Sequence, residues 1–171
     1  MKKINNLLTI IIPRHIERSE QIKSLCLRNK LKTQIINKDD KILNETEIAI
    51  VNSFGVLPEY LKYARSALIG KSLLKKFKKD GGQNPILAAQ LGCQIYHGPH
   101  ISNFADIYML LKNENLSKEI FTVDDLSNNL IEDFKTKKNL NQSRELFDKI
   151  SETILEKTFK EIDKFLDYEN L

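Results

Sequence analysis

The chain has 171 residues, 41 % hydrophobic and 29 % charged, a length and balance that suit one globular domain with a buried core. Lys and Arg outnumber Asp and Glu by 27 to 23, which mildly favours anionic partners but falls short of the dense basic face of a nucleic-acid binder. The two cysteines, Cys26 and Cys93, are far apart, which speaks against a disulfide framework or a zinc site and for a reducing cytosol.

Met1-Lys2-Lys3 ahead of LLTIII resembles a secretory leader. The apolar run is short, is broken by Pro13-Arg14-His15 and lacks a small-residue cleavage site, so Leu7 to Ile12 is expected to be a buried strand. Ile16 to Leu27 carries Ile16, Ile22, Leu25 and Cys26 at helical spacing. Thr33 to Ile36 and Glu47 to Asn52 read as strands, separated by the polar stretch NKDDKILNETE, an exposed loop. Leu57 to Ala64, with a proline in its first turn, reads as a short helix. Ala67 to Gly70 reads as a strand, followed by the lysine-rich loop KSLLKKFKKD. The helix Pro85 to Leu91, the strand Gln94 to Tyr96, a turn at His97-Gly98-Pro99, the helix Asn103 to Leu111 and a strand Glu119 to Val123 complete the pattern.

Apolar runs alternating with helical patterns are the mark of a parallel sheet covered by helices, so the expected fold is α/β, Rossmann-like, over residues 1–123. From 124 to 171 the pattern turns helical. Leu146, Phe147, Ile150, Ile154, Phe159, Ile162, Phe165 and Leu166 recur at threes and fours, which predicts an amphipathic tail packed on the preceding domain. No run approaches the ~18 apolar residues of a membrane span.

In such a sheet, ligands bind on the loops beyond the carboxyl ends of the strands. The unusual residues stand there: Pro13 and Arg14, then Ser53, Phe54 and Gly55, then Gly70-Lys71-Ser72, then Gly81, Gly82 and Asn84 before a helix. Arg14 offers a planar fork of donors suited to phosphate or carboxylate, and equally suits a plain surface position. Gly81-Gly82 either forms a turn or lets the backbone approach a ligand closely, and Asn84 either caps the helix or lines an anion site at its start. His15, His97 and His100 have no partner spacing of a nucleophilic triad or a metal site. No catalytic residue, metal or cofactor is read from the chain.

Taken together, the Arg14 region, VNSFGVLPEYLKYA, ALIGKSL, DGGQNPILAAQLG and YHGPHISNF resemble, in order and spacing over residues 7 to 111, the C-terminal half of the Kdo transferases. Those glycosyltransferases attach the acid sugar Kdo to lipid A precursors in lipopolysaccharide biosynthesis, and the wording here looks like the rickettsial version. The resemblance implies a GT-B fold, whose C-terminal domain binds the donor CMP-Kdo while the N-terminal domain holds the lipid acceptor and the catalytic carboxylate. By motif, Pro13 and Arg14 grip the donor's anionic groups, Ser53, Phe54 and Gly55 lie by the nucleotide, and Gly81, Gly82 and Asn84 line its phosphate or ribose side.

With Met1 just ahead of the first strand, the chain is expected either to be encoded separately from an acceptor-binding half, through which alone lipid A precursor is met, or to be a fragment left by gene truncation. The expected location is the cytoplasm, peripheral at the inner face of the bacterial inner membrane, with no nucleic-acid partner. The chain departs from the family pattern at Val56 and Leu87, where the family has Glu, at Lys71, where it has Gly, and at Gln83, where it has His. Those losses motivate a rival reading, a non-catalytic remnant or interaction module on a Rossmann-like scaffold.

Overall fold

The computed structural model describes residues 7–135 and 140–168, apart from the side chains of 140–143, 146, 150, 167 and 168. Met1-Lys2-Lys3, Leu146 and Ile150 therefore lie outside the described set. The chain forms two compact units, Met1–Tyr63 and Ala64–Leu171. Each is built on its own three-stranded parallel sheet flanked by helices, the layered α/β arrangement that the alternating pattern predicts.

In the first unit β1 (Thr9–Ile11), β2 (Thr33–Ile36) and β3 (Ile48–Val51) form a sheet in the order β1-β3-β2. Ile11 and Ile35 both pair with Ile50, so all three strands run in register toward one carboxyl edge. β-Branched side chains favour this extended backbone, and Ile36, Ala49, Ile50 and Val51 are fully buried in it. Helix α1 (Ser19–Arg28), entered through a 3-10 turn at Ile16–Arg18, covers β2 and β3. The link from β2 to β3 contains no helix. Gln34 holds it instead, its amide donating to Lys41 O (2.9 Å) and its Oε1 accepting from Leu43 N (3.0 Å) and Thr46 Oγ1 (3.1 Å). The short helix α2 (Leu57–Leu61) follows β3.

The second unit carries β4 (Ser66–Leu68), β5 (Gln94–His97) and β6 (Ser117–Glu119) in the order β4-β5-β6. β5 is the centre strand and all four of its residues are buried. Helix α3 (Ile86–Gln90) packs on β5, and α4 (Ala105–Asn113) on β6. The strand expected at Glu119–Val123 lies at Ser117–Glu119 instead. Asn115 turns the chain in the left-handed conformation (φ 57°) and Leu116 O accepts from Ile95 N–H, which fixes the pairing two residues earlier. Phe121 and Thr122 meanwhile donate their N–H groups to Asp125 Oδ2, and Asp125 N–H returns to Thr122 Oγ1. That reciprocal box starts helix α5 (Val123–Lys135).

The tail is two helices. α5 is fastened to the sheet by one carboxylate: Asp133 accepts from the Tyr96 hydroxyl and from Lys118 Nζ (2.8 Å), its backbone carbonyl accepts from Arg65, and the Arg65 guanidinium lies 5.0 Å from the Phe134 ring centre. Tyr96 is wholly buried, so its hydroxyl needs that acceptor. α6 (Leu140–Tyr168) packs near its start on α3, with Phe147 buried and Arg144 Nε donating to Leu91 O (3.3 Å). Residues 151–166 are exposed.

Candidate functional site

In the first unit, Pro13 and Arg14 leave the carboxyl end of β1, while Ser53, Phe54 and Gly55 leave that of the adjacent strand β3. Parallel pairing therefore brings both groups to one sheet edge. Arg14 is exposed, and its guanidinium bonds to no described residue. Ser53 is half-buried with its hydroxyl likewise open, Phe54 is 72 % exposed, and Gly55 turns the chain at φ 76°. Asn52, just before them, is held on both sides, accepting from Ser19 Oγ (3.3 Å) and donating to Asn37 Oδ1 (3.3 Å). The edge thus offers a fixed floor and a free cationic fork. Val56 belongs to the core, packed with Ile36, Ala49 and Val51; it is not on the edge.

In the second unit, three loops are knit together. Ser72, almost fully buried, donates its hydroxyl to Ile69 O (2.7 Å) and accepts Gly98 N–H (2.9 Å), while its carbonyl accepts His100 N–H (2.9 Å). Asn103 ties the same segment to the glycine turn, its N–H donating to Gly81 O (3.1 Å) and its amide to Asp80 O (2.9 Å). The hydroxyl of Tyr108 donates to Gln83 O (3.1 Å).

The paired glycines have a clear steric reason. Both are left-handed (φ 63° and 79°), a Cβ on Gly81 would lie 2.4 Å from the Asn103 side chain, and one on Gly82 would lie 3.0 Å from His100 O. Their close approach is to the chain's own 100–103 segment. Asn84 caps α3, its Oδ1 accepting Ile86 N–H at 2.8 Å, and its amide nitrogen bonds to no described residue. Leu87, one residue into α3, brings no acceptor to this edge.

Lys71 is a non-glycine residue at φ 58°, with Nζ 3.4 Å from Asp80. A left-handed position is what a glycine in the family pattern would suit. His97 closes β5 with its ring 4.2 Å from that of Tyr108. A carbonyl only accepts, so His97 Nδ1 carries the hydrogen and donates to Gly98 O (2.8 Å), which leaves Nε2 buried without a partner among the described residues. Burial, the largest influence, pushes the imidazole below its ordinary 6.5; the Gly98 bond and nearby Glu119 act the other way. Among the described residues no three His, Cys, Asp or Glu side chains are grouped to hold a metal ion.

Pro13, Arg14, Ser53, Phe54 and Gly55 thus share one edge, and Gly81, Gly82 and Asn84 share another in the second unit. Sequence reasoning missed Ser72 and Tyr108 as the fasteners of the second edge. Their signal, a buried hydroxyl at the right spot, exists only once the strands are paired.

No protein-family model matches the chain. Its fold is similar to that of a solved structure, the C-terminal CMP-Kdo binding domain of WaaA from Acinetobacter baumannii, with a TM-score of 0.73 and 21 % identity over 84 % of this chain and 73 % of that one. In sequence the chain is similar to the Kdo transferases. The 3-deoxy-D-manno-octulosonic acid transferase of Rickettsia typhi is 31 % identical over 121 residues, covering 71 % of this chain and 25 % of the relative. That of Rickettsia bellii is 28 % identical over 167 residues, 96 % of this chain and 38 % of the relative, and that of Haemophilus influenzae 30 % over 113 residues, 65 % and 25 %. The chain spans between 25 % and 38 % of the length of these relatives.

Proposed function

We propose that this chain is the donor-binding half of a Kdo transferase, holding CMP-Kdo while Kdo passes to a lipid A precursor. What supports the reading most directly is Arg14, an exposed guanidinium on the loop beyond β1 that bonds to no described residue, at the position of the family's donor-binding arginine motif. The similarity to Kdo transferases and the shared fold with a CMP-Kdo binding domain point the same way.

In this reading Pro13 and Arg14 take the donor's anionic groups. Ser53, Phe54 and Gly55 lie against the nucleotide, and Gly81, Gly82 and the free amide nitrogen of Asn84 face its phosphate or ribose. Transfer requires a base to take the proton of the acceptor hydroxyl, worth roughly 10²–10⁴-fold in such reactions. That base belongs to an acceptor-binding half, which also meets the lipid A precursor, so the chain alone does not transfer Kdo. In this reading residues 1–123 serve the donor and residues 124–171 form a helical tail. The working location is the cytoplasmic face of the inner membrane; among the described residues no helix is long and apolar enough to cross a bilayer.

Thermal-shift titration tests the reading. CMP-Kdo is expected to raise the melting temperature, by about 2.7 kcal/mol of stabilisation at a hundred times the Kd. Arg14→Ala is expected to weaken binding about 10- to 100-fold, the loss of charge-assisted hydrogen bonds, with the ligand-free melt unchanged. A flat response of the folded protein at millimolar CMP-Kdo would sink the reading. The rival, a non-catalytic interaction module, is favoured by two observations: Leu87 offers no acceptor for ribose hydroxyls, and Val56 is committed to the core. A flat titration would leave that rival standing.

A further inference from the structure

Between the β4 loop and the paired glycines, five lysines fall within nine residues: Lys71, Lys75, Lys76, Lys78 and Lys79. Asp80, the acid that closes the segment, is already engaged by Lys71 at 3.4 Å. The other four lysines are exposed and paired with no described carboxylate. They are carried by a 3-10 helix, Lys75–Asp80, in which side chains three apart eclipse. Lys75 therefore stands over Lys78 and Lys76 over Lys79, giving two cationic ridges side by side. The third ridge holds the half-buried Phe77 over Asp80, and Leu74, the extended residue that leads into the turn, is 52 % exposed beside the lysines.

We propose that this turn is a docking surface for an anionic lipid bilayer, its four free lysines against the phosphate headgroups and Leu74 entering the interface. A compact cationic cluster with an apolar side chain beside it is what such a surface recognises. Single-stranded nucleic acid asks instead for aromatic faces open between the cations. Here the one aromatic ring has Lys76 Nζ 4.9 Å from its centre, so that face is taken. The inference deepens the peripheral placement proposed above and is tested separately from donor binding.

The test is flotation of the whole chain with vesicles of phosphatidylcholine alone or with ~30 % phosphatidylglycerol. Binding is expected only to the anionic vesicles and is expected to fall steeply between about 50 and about 500 mM NaCl. Replacing Lys75, Lys76, Lys78 and Lys79 by Gln is expected to weaken it more than 100-fold, at about fivefold per lysine, and Leu74→Ser by several-fold. The melting temperature and its rise with CMP-Kdo serve as controls and are expected to stay unchanged, so a lost lipid site and a lost donor site are told apart. Absence of binding, equal binding to both vesicles, or binding untouched by the Gln variant but abolished by Phe159→Ser and Phe165→Ser on α6 would each overturn the proposal. Tight binding of an oligonucleotide or an acidic protein without vesicle binding would overturn it too.

Discussion

Gly98 is the glycine of the second unit packed most closely against backbone. A Cβ there would lie 2.3 Å from Leu73 Cα and 2.4 Å from Ser72 O, and backbone cannot move aside as a side-chain tip can. Gly98→Ala is expected to cost about 2–3 kcal/mol in urea unfolding. Lys71 is the opposite case. It holds a left-handed backbone that L-residues resist at roughly 1–2 kcal/mol, part of which is offset by the flexibility a glycine adds to the unfolded chain. Lys71→Gly is therefore expected to raise stability by up to about 1 kcal/mol. His97 sets a pH dependence: it is kept neutral by burial, so its folded value lies below 6.5. As pH falls through about 6.5 the unfolded chain takes up a proton that the folded chain refuses, and stability drops until the folded value is passed. Denaturation midpoints measured between pH about 7.5 and about 5 should show that fall, and His97→Gln should remove most of it. Of these three residues, sequence alone singled out Lys71 only as a departure and His97 only as a loop histidine; the crowding that gives each its role comes from packing.

At the scale of elements, the two ends of α6 should behave differently although one pattern runs through both. Phe147 is 8 % exposed against α3, and Phe147→Ala is expected to cost about 3 kcal/mol or more. Phe159 is 55 % exposed, and Phe159→Ser is expected to change stability by less than about 0.5 kcal/mol. Chemical denaturation of both variants checks the pair. Periodicity predicts which residues share a helix face; whether that face meets anything is a property of the neighbouring element. β6 teaches the reverse lesson. Its residues, Ser117, Lys118 and Glu119, are polar and carry no strand pattern, so the apolar Ile120 to Val123 drew the expectation two residues downstream. The Thr122–Asp125 capping spacing was the readable signal that a helix, not a strand, begins there.

At the scale of the whole molecule, the purified chain is expected to show no Kdo transfer to a lipid A precursor, and co-expression with an acceptor-binding half is expected to restore it. Transfer by the chain alone would show that it holds its own base. Short apolar runs, the prolines and glycines between them and the polar link of 37–47 fixed the parallel α/β class, because burial and turn chemistry act locally and leave their mark in the order of residues. Local order also placed Arg14 and Ser53-Phe54-Gly55 after strands, hence at a carboxyl edge. What only the tertiary structure decided is how those strands divide into two sheets of three, that Val56 is core, that Gly81-Gly82 makes room for the 100–103 segment, and that Asp133 fastens the tail. Each of these depends on which residues of separate elements come within a few ångströms, and contact between separate elements is written in no single stretch of the chain.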